Sequence, residues 1–405
     1  MSLTEQNSST WCINAEHNLC VSNDGSTKMC CMIKDSYNGL SKSSDWSLKT
    51  HSVEENFNNP MARRIRENLN NGIRDEACEL CWQEEDSGRH SKRVRDNNIP
   101  GLTFIGLGKI EINVSNLCNI KCRTCNIWSS SFWVEEWYDL LPEPKKSFQV
   151  FKDTNRNLQT LENSTITFWD DLETHLETIT HIDFYGGEPF LSKPMWKFLT
   201  TCVDKGYAKN ISLHFNTNGT VWPPGTELFS EFKIVDIAFS IDGIGEPYEF
   251  MRFPAKWSTT QQTMRKASDY NKLHGNLHLS WCITLSNFNV YNLPETLDML
   301  IDNYPEFHIY LNLVHWPTEF NIGIAPPEVK NAVIAQLEKA LDRPQSKMQV
   351  EGIIGFVKTG TTDLSLWKKF LEKVNLHDGH RNQNFYEVFA EYGKIIKGAS
   401  DDILE

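Results

Sequence analysis

Three cysteines, Cys118, Cys122 and Cys125, share one short segment of the chain, NLCNIKCRTC at residues 116–125. Their spacing is CxxxCxxC, and a strand-like run at 109–115 precedes them. Three thiolates on one loop can hold three irons of a cubane iron–sulfur cluster, which leaves the fourth iron without a protein ligand. A small molecule can bind an iron that has an open position. The spacing therefore predicts a 4Fe–4S site that does chemistry.

Three further motifs follow this loop, and each of them closes a strand-like run. They are Tyr185-Gly186-Gly187-Glu188-Pro189, Asn216-Thr217-Asn218-Gly219 and Ser240-Ile241-Asp242-Gly243. A glycine pair carries no side chains, so its backbone can approach a ligand closely. Because parallel strands place their C-terminal ends on one face of a barrel, we expect these motifs to gather with the cysteine loop.

In this order, the motifs resemble those of the radical S-adenosylmethionine (SAM) enzymes, over roughly residues 105–316. The resemblance implies a partial (β/α)6 barrel, SAM as a bound cofactor, and a catalytic 4Fe–4S cluster on Cys118, Cys122 and Cys125. Thr124 stands where the family usually carries an aromatic residue that helps to seat the adenine.

The resemblance also implies a set of cofactor-binding residues. The segment Gly186-Gly187-Glu188 would bind the amino group of the methionine moiety, with Glu188 as its carboxylate partner. Asn218 and Ser240 would meet the ribose or the carboxylate of SAM, and Asn287 would also reach the cofactor.

A second set of cysteines lies before residue 82. The turn signal at 23–26 predicts a hairpin that brings Cys12 and Cys30 towards each other. Cys78 and Cys81 form a CxxC and complete a set of four thiolates, which is enough for a closed iron–sulfur cluster or for a zinc site. Cys31 adjoins Cys30 and could replace it.

This arrangement resembles the twitch domain, a shortened relative of the SPASM domain of radical SAM proteins. The resemblance implies an auxiliary 4Fe–4S cluster on Cys12, Cys30, Cys78 and Cys81. In better-known family members the module follows the barrel, whereas here it precedes it.

Several other polar residues have a simpler interpretation. Asp242 is expected to form a turn, and Arg252 to be a surface arginine. His377 and His380 flank an Asp-Gly pair, which is typical of a polar loop rather than of a metal site.

The order of predicted elements indicates an α/β protein, because strands alternate with helices from residue 109 onward. The predicted strands are 109–115, 181–185, 211–215, 235–241, 278–285 and 308–314, and the predicted helices are 129–140, 194–205, 226–232, 258–273 and 294–303.

Three domains are expected from these elements. They are a Cys-rich hairpin-and-helix module at 1–100, a radical SAM core with a partial (β/α)6 barrel at 101–320, and a C-terminal helical extension at 321–405. An insertion at about 142–168 is expected to be a lid or a loop.

Composition sets limits on the class of protein. A net charge of −13 argues against broad nucleic-acid binding, which needs an excess of Lys and Arg. No run of about 18 apolar residues is present, so we expect no membrane span and a cytoplasmic location. Eleven cysteines in a cytoplasmic protein indicate metal or redox work rather than a disulfide framework.

These observations predict a radical SAM enzyme. It would cleave SAM reductively to a 5′-deoxyadenosyl radical, and the radical would remove hydrogen from a substrate. A peptide or protein is the leading substrate class, as for a maturase, and a small molecule is next. The electron would come from an external flavodoxin-type or ferredoxin-type donor. The alternative is a non-catalytic iron–sulfur or zinc-binding interaction protein, which would need a fourth Cys or His near the loop.

Overall fold

The structure is a computed structural model that describes residues 9–33, 46–86, 90–99, 104–142, 160–161, 165 and 167–399. Most of the predicted insertion at 142–168 lies outside these residues. The chain forms two compact units: unit 1 holds residues 1–117, 158–215 and 224–235, and unit 2 holds 118–157, 216–223 and 236–405. The three predicted domains stay a prediction.

The strands confirm the predicted core to within two residues at each end. They are β1 Asn18–Val21, β2 Thr27–Lys28, β3 Lys109–Asn113, β4 His181–Tyr185, β5 Ser212–Thr217, β6 Ile234–Ser240, β7 Leu277–Leu285 and β8 His308–Leu313. Apolar side chains alternate along most of them: in β7 every second residue is buried, because one face of the strand lies against the core.

The strands form one sheet in the order β2-β1-β3-β4-β5-β6-β7-β8. Parallel pairing joins β3 to β4, β4 to β5, and β7 to β8. Helical segments lie between the successive strands from β3 onward, and the one between β5 and β6 is a 3-10 helix, Thr226–Glu231. The predicted α/β class, with strands β3 to β8 in sequential order, is confirmed.

Helices occupy all five segments predicted to be helical between the strands, and the described residues hold sixteen α-helices in all. They are α1 Ile13–His17, α2 Val53–Phe57, α3 Pro60–Asn70, α4 Glu79–Asp86, α5 Lys92–Asn97, α6 Val134–Asp139, α7 Phe168–Glu173, α8 Lys193–Asp204, α9 Gly245–Met251, α10 Trp257–His274, α11 Leu293–Asn303, α12 Pro327–Leu337, α13 Lys347–Thr359, α14 Leu364–Arg381, α15 Phe385–Val388 and α16 Ala390–Gly398. A 3-10 turn, Ser131–Trp133, precedes α6, and the predicted helix at 226–232 is a 3-10 helix, Thr226–Glu231.

No helix of the described residues is long and apolar enough to cross a membrane.

The predicted N-terminal hairpin is confirmed, with an addition that the sequence did not indicate. Gly25 takes a φ of +82° in the turn, and β1 and β2 pair antiparallel. In addition, β1 pairs parallel with β3, with Cys20 opposite Glu111. The Cys-rich segment therefore extends the sheet of unit 1.

The predicted C-terminal extension is helical, from α12 to α16. One expectation about it is wrong: residues 377–380 do not form a polar loop. They lie inside α14, which begins at the cap Asp363 and buries Phe370, Leu371 and Val374 on one side. This apolar stripe holds the helix through the Asp-Gly pair.

Candidate active site and the N-terminal cysteine site

The cysteine loop follows β3 and is held in unit 2 by the chain that follows α9. The backbone N–H of Lys121 donates to the carbonyl of Phe253 at 2.7 Å, and that of Arg123 donates to the carbonyl of Met251 at 2.8 Å. Ser130 adds a side-chain bond to the carbonyl of Ile120 at 2.7 Å. These bonds fix the backbone on both sides of Cys122.

Two of the three loop thiols receive a hydrogen-bond donor from outside the loop. The amide Nδ2 of Asn218 lies 3.7 Å from the Sγ of Cys118, and the Nη1 of Arg252 lies 3.8 Å from the Sγ of Cys122. Donors of this kind stabilise sulfur ligands that carry negative charge.

Burial governs the ionisation of these thiols. It raises the pKa of Cys122 to about 12, against the pull of Arg252, and it also raises the pKa of Cys125. Binding to a metal deprotonates a thiol outright, so the loop would pass from neutral to anionic on loading. Among the described residues, no three Cys, His, Asp or Glu side chains already stand in a metal-binding arrangement.

Arg252 is not a surface residue, which corrects the expectation from the sequence. It is buried, and its Nη2 lies 2.8 Å from the Oδ2 of Asp242. Burial disfavours the charge, but Asp242 raises the pKa of the guanidinium, so Arg252 stays charged. Asp242 in turn accepts the N–H of Thr284 at 3.0 Å, so it is an anchor for Arg252 as well as part of a turn.

Two further buried arginines belong to this region, Arg123 in the loop itself and Arg381 in α14, and sequence reasoning missed both of them. Arg123 donates to Asp378 at 2.6 Å and to Gln383 at 2.9 Å, and its guanidinium stacks 3.9 Å from the ring centre of Phe250. Arg381 places its Nε 2.9 Å and 3.0 Å from the two carboxylate oxygens of Glu136.

These three arginines have buried N–H groups that donate to no acceptor among the described residues. They are Nε of Arg252, Nε and Nη1 of Arg123, and Nη1 and Nη2 of Arg381. A buried charged donor without an acceptor costs free energy, so the environment of the loop suits an additional anionic group. Three thiolates that hold an iron–sulfur cluster are such a group, and the residues therefore fit it.

The glycine pair of the second motif lies in unit 1 against the end of β3. A Cβ on Gly186, whose φ is +130°, would stand 2.4 Å from the carbonyl oxygen of Ser115. A Cβ on Gly187 would stand 2.3 Å from that of Leu117. The expected close approach of backbone is present, but the partner is the chain that leads into Cys118.

Glu188 is fully buried and caps a short 3-10 helix, Pro189–Leu191. Its Oε1 accepts the N–H of Phe190 at 3.1 Å, and its own N–H donates to the carbonyl of Leu117 at 2.8 Å. The carboxylate thus caps the 3-10 helix, in addition to its predicted role of binding the amino group of SAM.

The other predicted cofactor-binding residues lie in unit 2 at strand ends. Asn218 follows β5 and bonds both to Cys118 and to the Oδ1 of Asn119, at 2.9 Å for the latter. Ser240 is the half-buried last residue of β6. Asn287 follows β7: its Nδ2 donates to the carbonyls of Glu319 and Asn321, and its buried Oδ1 has no partner among the described residues.

A cavity of about 500 Å³ in unit 2 reaches Cys125. Aromatic and aliphatic side chains form most of its wall, and an ion pair between Lys373 and Glu319 stands on one side. The apolar residues are Ile127, Trp133, Trp137, Leu140, Leu141, Trp316, Pro317, Phe320 and Leu376. A cavity with these walls suits a largely apolar organic group beside the cysteine loop.

The four predicted auxiliary cysteines meet around a single cavity in unit 1. Cys12, Cys30, Cys78 and Cys81 all line it, together with Met29 and Ile33. The hydrophobic cluster behind it includes Ala15, Ile65, Leu69 and Trp82. Burial raises the pKa of Cys12 to about 11 and that of Cys78 to about 12. Thiols are the ligands that a closed cluster or a zinc ion takes, and four of them line this cavity.

Cys31 and Cys20 form a neighbouring thiol group on the sheet side of Cys30. Hydrogen bonds from Cys20 and Cys30 lower the pKa of Cys31 to about 2, and Lys92 adds to the effect. The Sγ of Cys20 lies 3.3 Å from the carboxylate of Glu111. Cys30, rather than Cys31, lines the four-cysteine cavity.

No protein-family model matches the chain, and no curated protein does. Among solved structures, "Native anSMEcpe with bound AdoMet" is similar at 15% identity, with a TM-score of 0.37, over 58% of this chain and 59% of that chain. "Native anSMEcpe with bound AdoMet and Cp18Cys peptide" is similar at 14% identity, with a TM-score of 0.37, over 58% of each chain.

A third similar structure comes from Streptococcus suis. It is described as SuiB bound to precursor peptide SuiA, and it is 12% identical, with a TM-score of 0.32, over 80% of this chain and 66% of that chain. The chain spans about three fifths of the length of the anSMEcpe structures. The residues and distances described above, rather than this likeness, support the proposals below.

Proposed function

We propose that the chain is a radical SAM enzyme with an auxiliary iron–sulfur site. The observation that carries the proposal is the environment of the CxxxCxxC loop. Its thiols are accompanied by an amide donor and by buried arginines whose remaining donors have no described acceptor. An anionic group would accept hydrogen bonds from these donors. The CxxxCxxC spacing supplies ligands for a cluster with one open iron.

Cys118, Cys122 and Cys125 would hold the catalytic 4Fe–4S cluster. When bound, the cluster would supply the one electron that reductive cleavage of SAM needs, and the 5′-deoxyadenosyl radical formed from SAM would remove hydrogen from the substrate. Asn218 and Arg252 would donate to the cluster ligands, which sets the charge that the loop can carry.

The chain's own residues would bind and orient SAM. Glu188 would accept hydrogen bonds from the amino group, and the packed pair Gly186 and Gly187 would keep the backbone of its segment in place. Ser240 would meet the ribose or the carboxylate of SAM, and the unpartnered Oδ1 of Asn287 would accept a hydrogen bond from a donor group of the cofactor.

Cys12, Cys30, Cys78 and Cys81 would hold a second 4Fe–4S cluster. Their shared cavity supports this set, and it favours Cys30 over Cys31 as the ligand. The second cluster could accept an electron from the substrate radical, bind substrate, or brace the module. Zinc remains the alternative occupant of the same four thiols.

The substrate class follows from the resemblance to twitch and SPASM proteins, which often modify peptides. A peptide or protein is therefore proposed, with a small molecule next. The apolar cavity beside Cys125 supports a substrate group of the same character. A flavodoxin-type or ferredoxin-type protein would deliver the electron.

The test is anaerobic reconstitution with iron and sulfide, followed by reduction with dithionite in the presence of SAM. We expect 5′-deoxyadenosine and methionine to form slowly even without substrate, because cleavage needs only the electron and the bound sulfonium. A loaded protein that forms no 5′-deoxyadenosine would favour the alternative, a non-catalytic iron–sulfur or zinc-binding interaction protein.

A further inference from the structure

The C-terminal helix α14 is connected to the cysteine loop by two separate links within unit 2. Asp378 accepts a hydrogen bond from Arg123 at 2.6 Å. Arg381 pairs with Glu136 at 2.9 Å, and Glu136 also pairs with Lys121 at 2.9 Å. The loop thus depends on a helix that lies about 250 residues further along the chain.

A third link runs through an aromatic residue. The ring of His377 meets the ring of Trp133 edge-on, with centroids 5.2 Å apart. The indole N–H of Trp133 donates to the carbonyl oxygen of Cys122 at 3.1 Å. Contacts on both sides of Cys122 therefore lead back to α14.

Arg381 brings a buried positive charge to this region. Its guanidinium lies 4.7 Å from the ring centre of Trp133 and 5.3 Å from that of Phe253. Only its Nε is bonded, to Glu136, whereas Nη1 and Nη2 have no acceptor among the described residues. Arg252 lies 3.8 Å from the Sγ of Cys122, and Arg381 lies over the Trp133 ring whose N–H bonds to the backbone of Cys122.

We propose that α14 completes the catalytic cluster site, and that Arg381, together with Arg252, is a positioning residue that balances the negative charge of a cluster bound at Cys122. This inference rests on the proposed function. It assigns the C-terminal extension a part in the redox chemistry rather than a role in packing alone.

The sign of the effect follows from charge. One-electron reduction adds a negative charge to the cluster and its thiolates. A buried positive charge nearby stabilises the reduced form, and because the surroundings are poorly screened, the effect persists at moderate salt. Loss of Arg381 should therefore make the midpoint potential more negative, whereas loss of the negative charge of Glu136 should make it more positive.

The test is a redox titration of the fully loaded protein, followed by electron paramagnetic resonance. The signal that changes when SAM is added identifies the catalytic cluster, so the auxiliary cluster does not interfere. The variants are Arg381→Met, Glu136→Gln and Arg381→Lys. The matched control is Arg343→Met, which removes the same charge from a pair with Asp298 and Asp302 at the surface of unit 2.

We expect Arg381→Met to lower the equilibrium constant for reduction at least tenfold, which is about 59 mV for one electron. Glu136→Gln should shift the potential in the opposite direction, and Arg381→Lys and Arg343→Met should stay near the wild-type value. A structural defect would not give shifts of opposite sign.

Three outcomes would overturn the inference. They are unchanged potentials in both charge variants, shifts in the same direction, and loss of the SAM-sensitive signal in Arg381→Lys as well as in Arg381→Met, since the last result would show that shape rather than charge matters. A wild-type protein that loads iron but shows no SAM-sensitive signal would instead contradict the proposed function itself.

Discussion

The two cysteine sites of this chain differ in what surrounds the sulfur atoms. Around the loop of unit 2 stand buried arginines with unused donors, an asparagine amide, and a cavity that reaches Cys125. Around the four cysteines of unit 1 stand mainly apolar side chains, Ala15, Met29 and Ile33 among them.

The two sites also differ in whether their arginines keep buried N–H groups without an acceptor among the described residues. Arg93, which lines the N-terminal site, is already paired with Glu85 at 2.5 Å and stacks on Trp82. Under the proposed assignment, the N-terminal site would hold its group in a mainly apolar setting. The loop site instead has buried positive charge and a cavity beside its thiols, as the proposed catalytic role would require.

Removal of each set of ligands should have the largest and most distinct effects. The triple variant Cys118/Cys122/Cys125→Ala should lose about half of the iron and all formation of 5′-deoxyadenosine. The double variant Cys78/Cys81→Ala should lose the other half and keep uncoupled cleavage of SAM. Iron and sulfide analysis together with chromatography checks both expectations.

Either of two results would contradict this distinction between the two sites. One is a triple variant that keeps all its iron. The other is a double variant that loses SAM cleavage although its loop cluster is intact.

Glu188→Gln separates the two roles of Glu188. Glutamine can still accept the N–H of Phe190, so the cap at Pro189–Leu191 should persist. The charge-assisted bond to the amino group of SAM would be lost, at a cost of about 1.5–3 kcal/mol, or about a ten- to hundredfold weaker affinity. Equilibrium binding of SAM to the loaded variant measures this, and iron content serves as the control. An unchanged affinity would remove Glu188 from the SAM site.

Gly186→Ala tests whether the glycine pair serves the loop. The added Cβ would meet the carbonyl oxygen of Ser115 at 2.4 Å, and the φ of +130° is strained for alanine. We expect a loss of about 1–3 kcal/mol in unfolding free energy and reduced cluster loading.

Gly206→Ala is the matched control for this variant. Gly206 also has a positive φ, of +78°, but a Cβ there would meet nothing within 4 Å. The Gly206→Ala variant should lose about 1 kcal/mol in unfolding free energy and keep its cluster loading. Equal losses in both variants would show that backbone strain alone, and not contact with the end of β3, is at work.

A smaller effect concerns pH and His377, which is in contact with Trp133 beside the loop. Burial lowers the pKa of His377 to about 3, so the folded protein holds this histidine neutral. The unfolded chain binds its proton at a pKa of about 6.5, so unfolding is favoured as pH falls below that value. Because of His377, the free energy of unfolding should be about 1–2 kcal/mol lower at pH 5 than at pH 7.

Urea unfolding at the two pH values measures this loss, and His377→Gln should reduce it. An equal loss of stability in the variant would assign the pH dependence to other groups.

Much of the fold was predictable because its signals are local. Apolar alternation marks β3 to β8, and the glycine-bearing motifs close strands where the chain must turn. The CxxxCxxC and CxxC spacings, likewise, are visible within a few residues. The hairpin at Gly25 follows from its turn residues alone.

The surroundings of the loop were not predictable in the same way. Arg381, Asp378 and Gln383 reach the loop only because α14 packs in unit 2, and nothing in their own segment signals that contact. Arg252 looked like a surface residue because its partner Asp242 and its contact Cys122 lie far apart in sequence. The parallel pairing of β1 with β3 is long-range for the same reason.

The most direct test of the account is the fate of SAM on the loaded wild-type protein. With iron and sulfide reconstituted and dithionite as reductant, chromatography should show 5′-deoxyadenosine and methionine in equal amounts, and the triple variant Cys118/Cys122/Cys125→Ala should show neither. A wild-type protein with a full loop cluster and no 5′-deoxyadenosine would contradict the account.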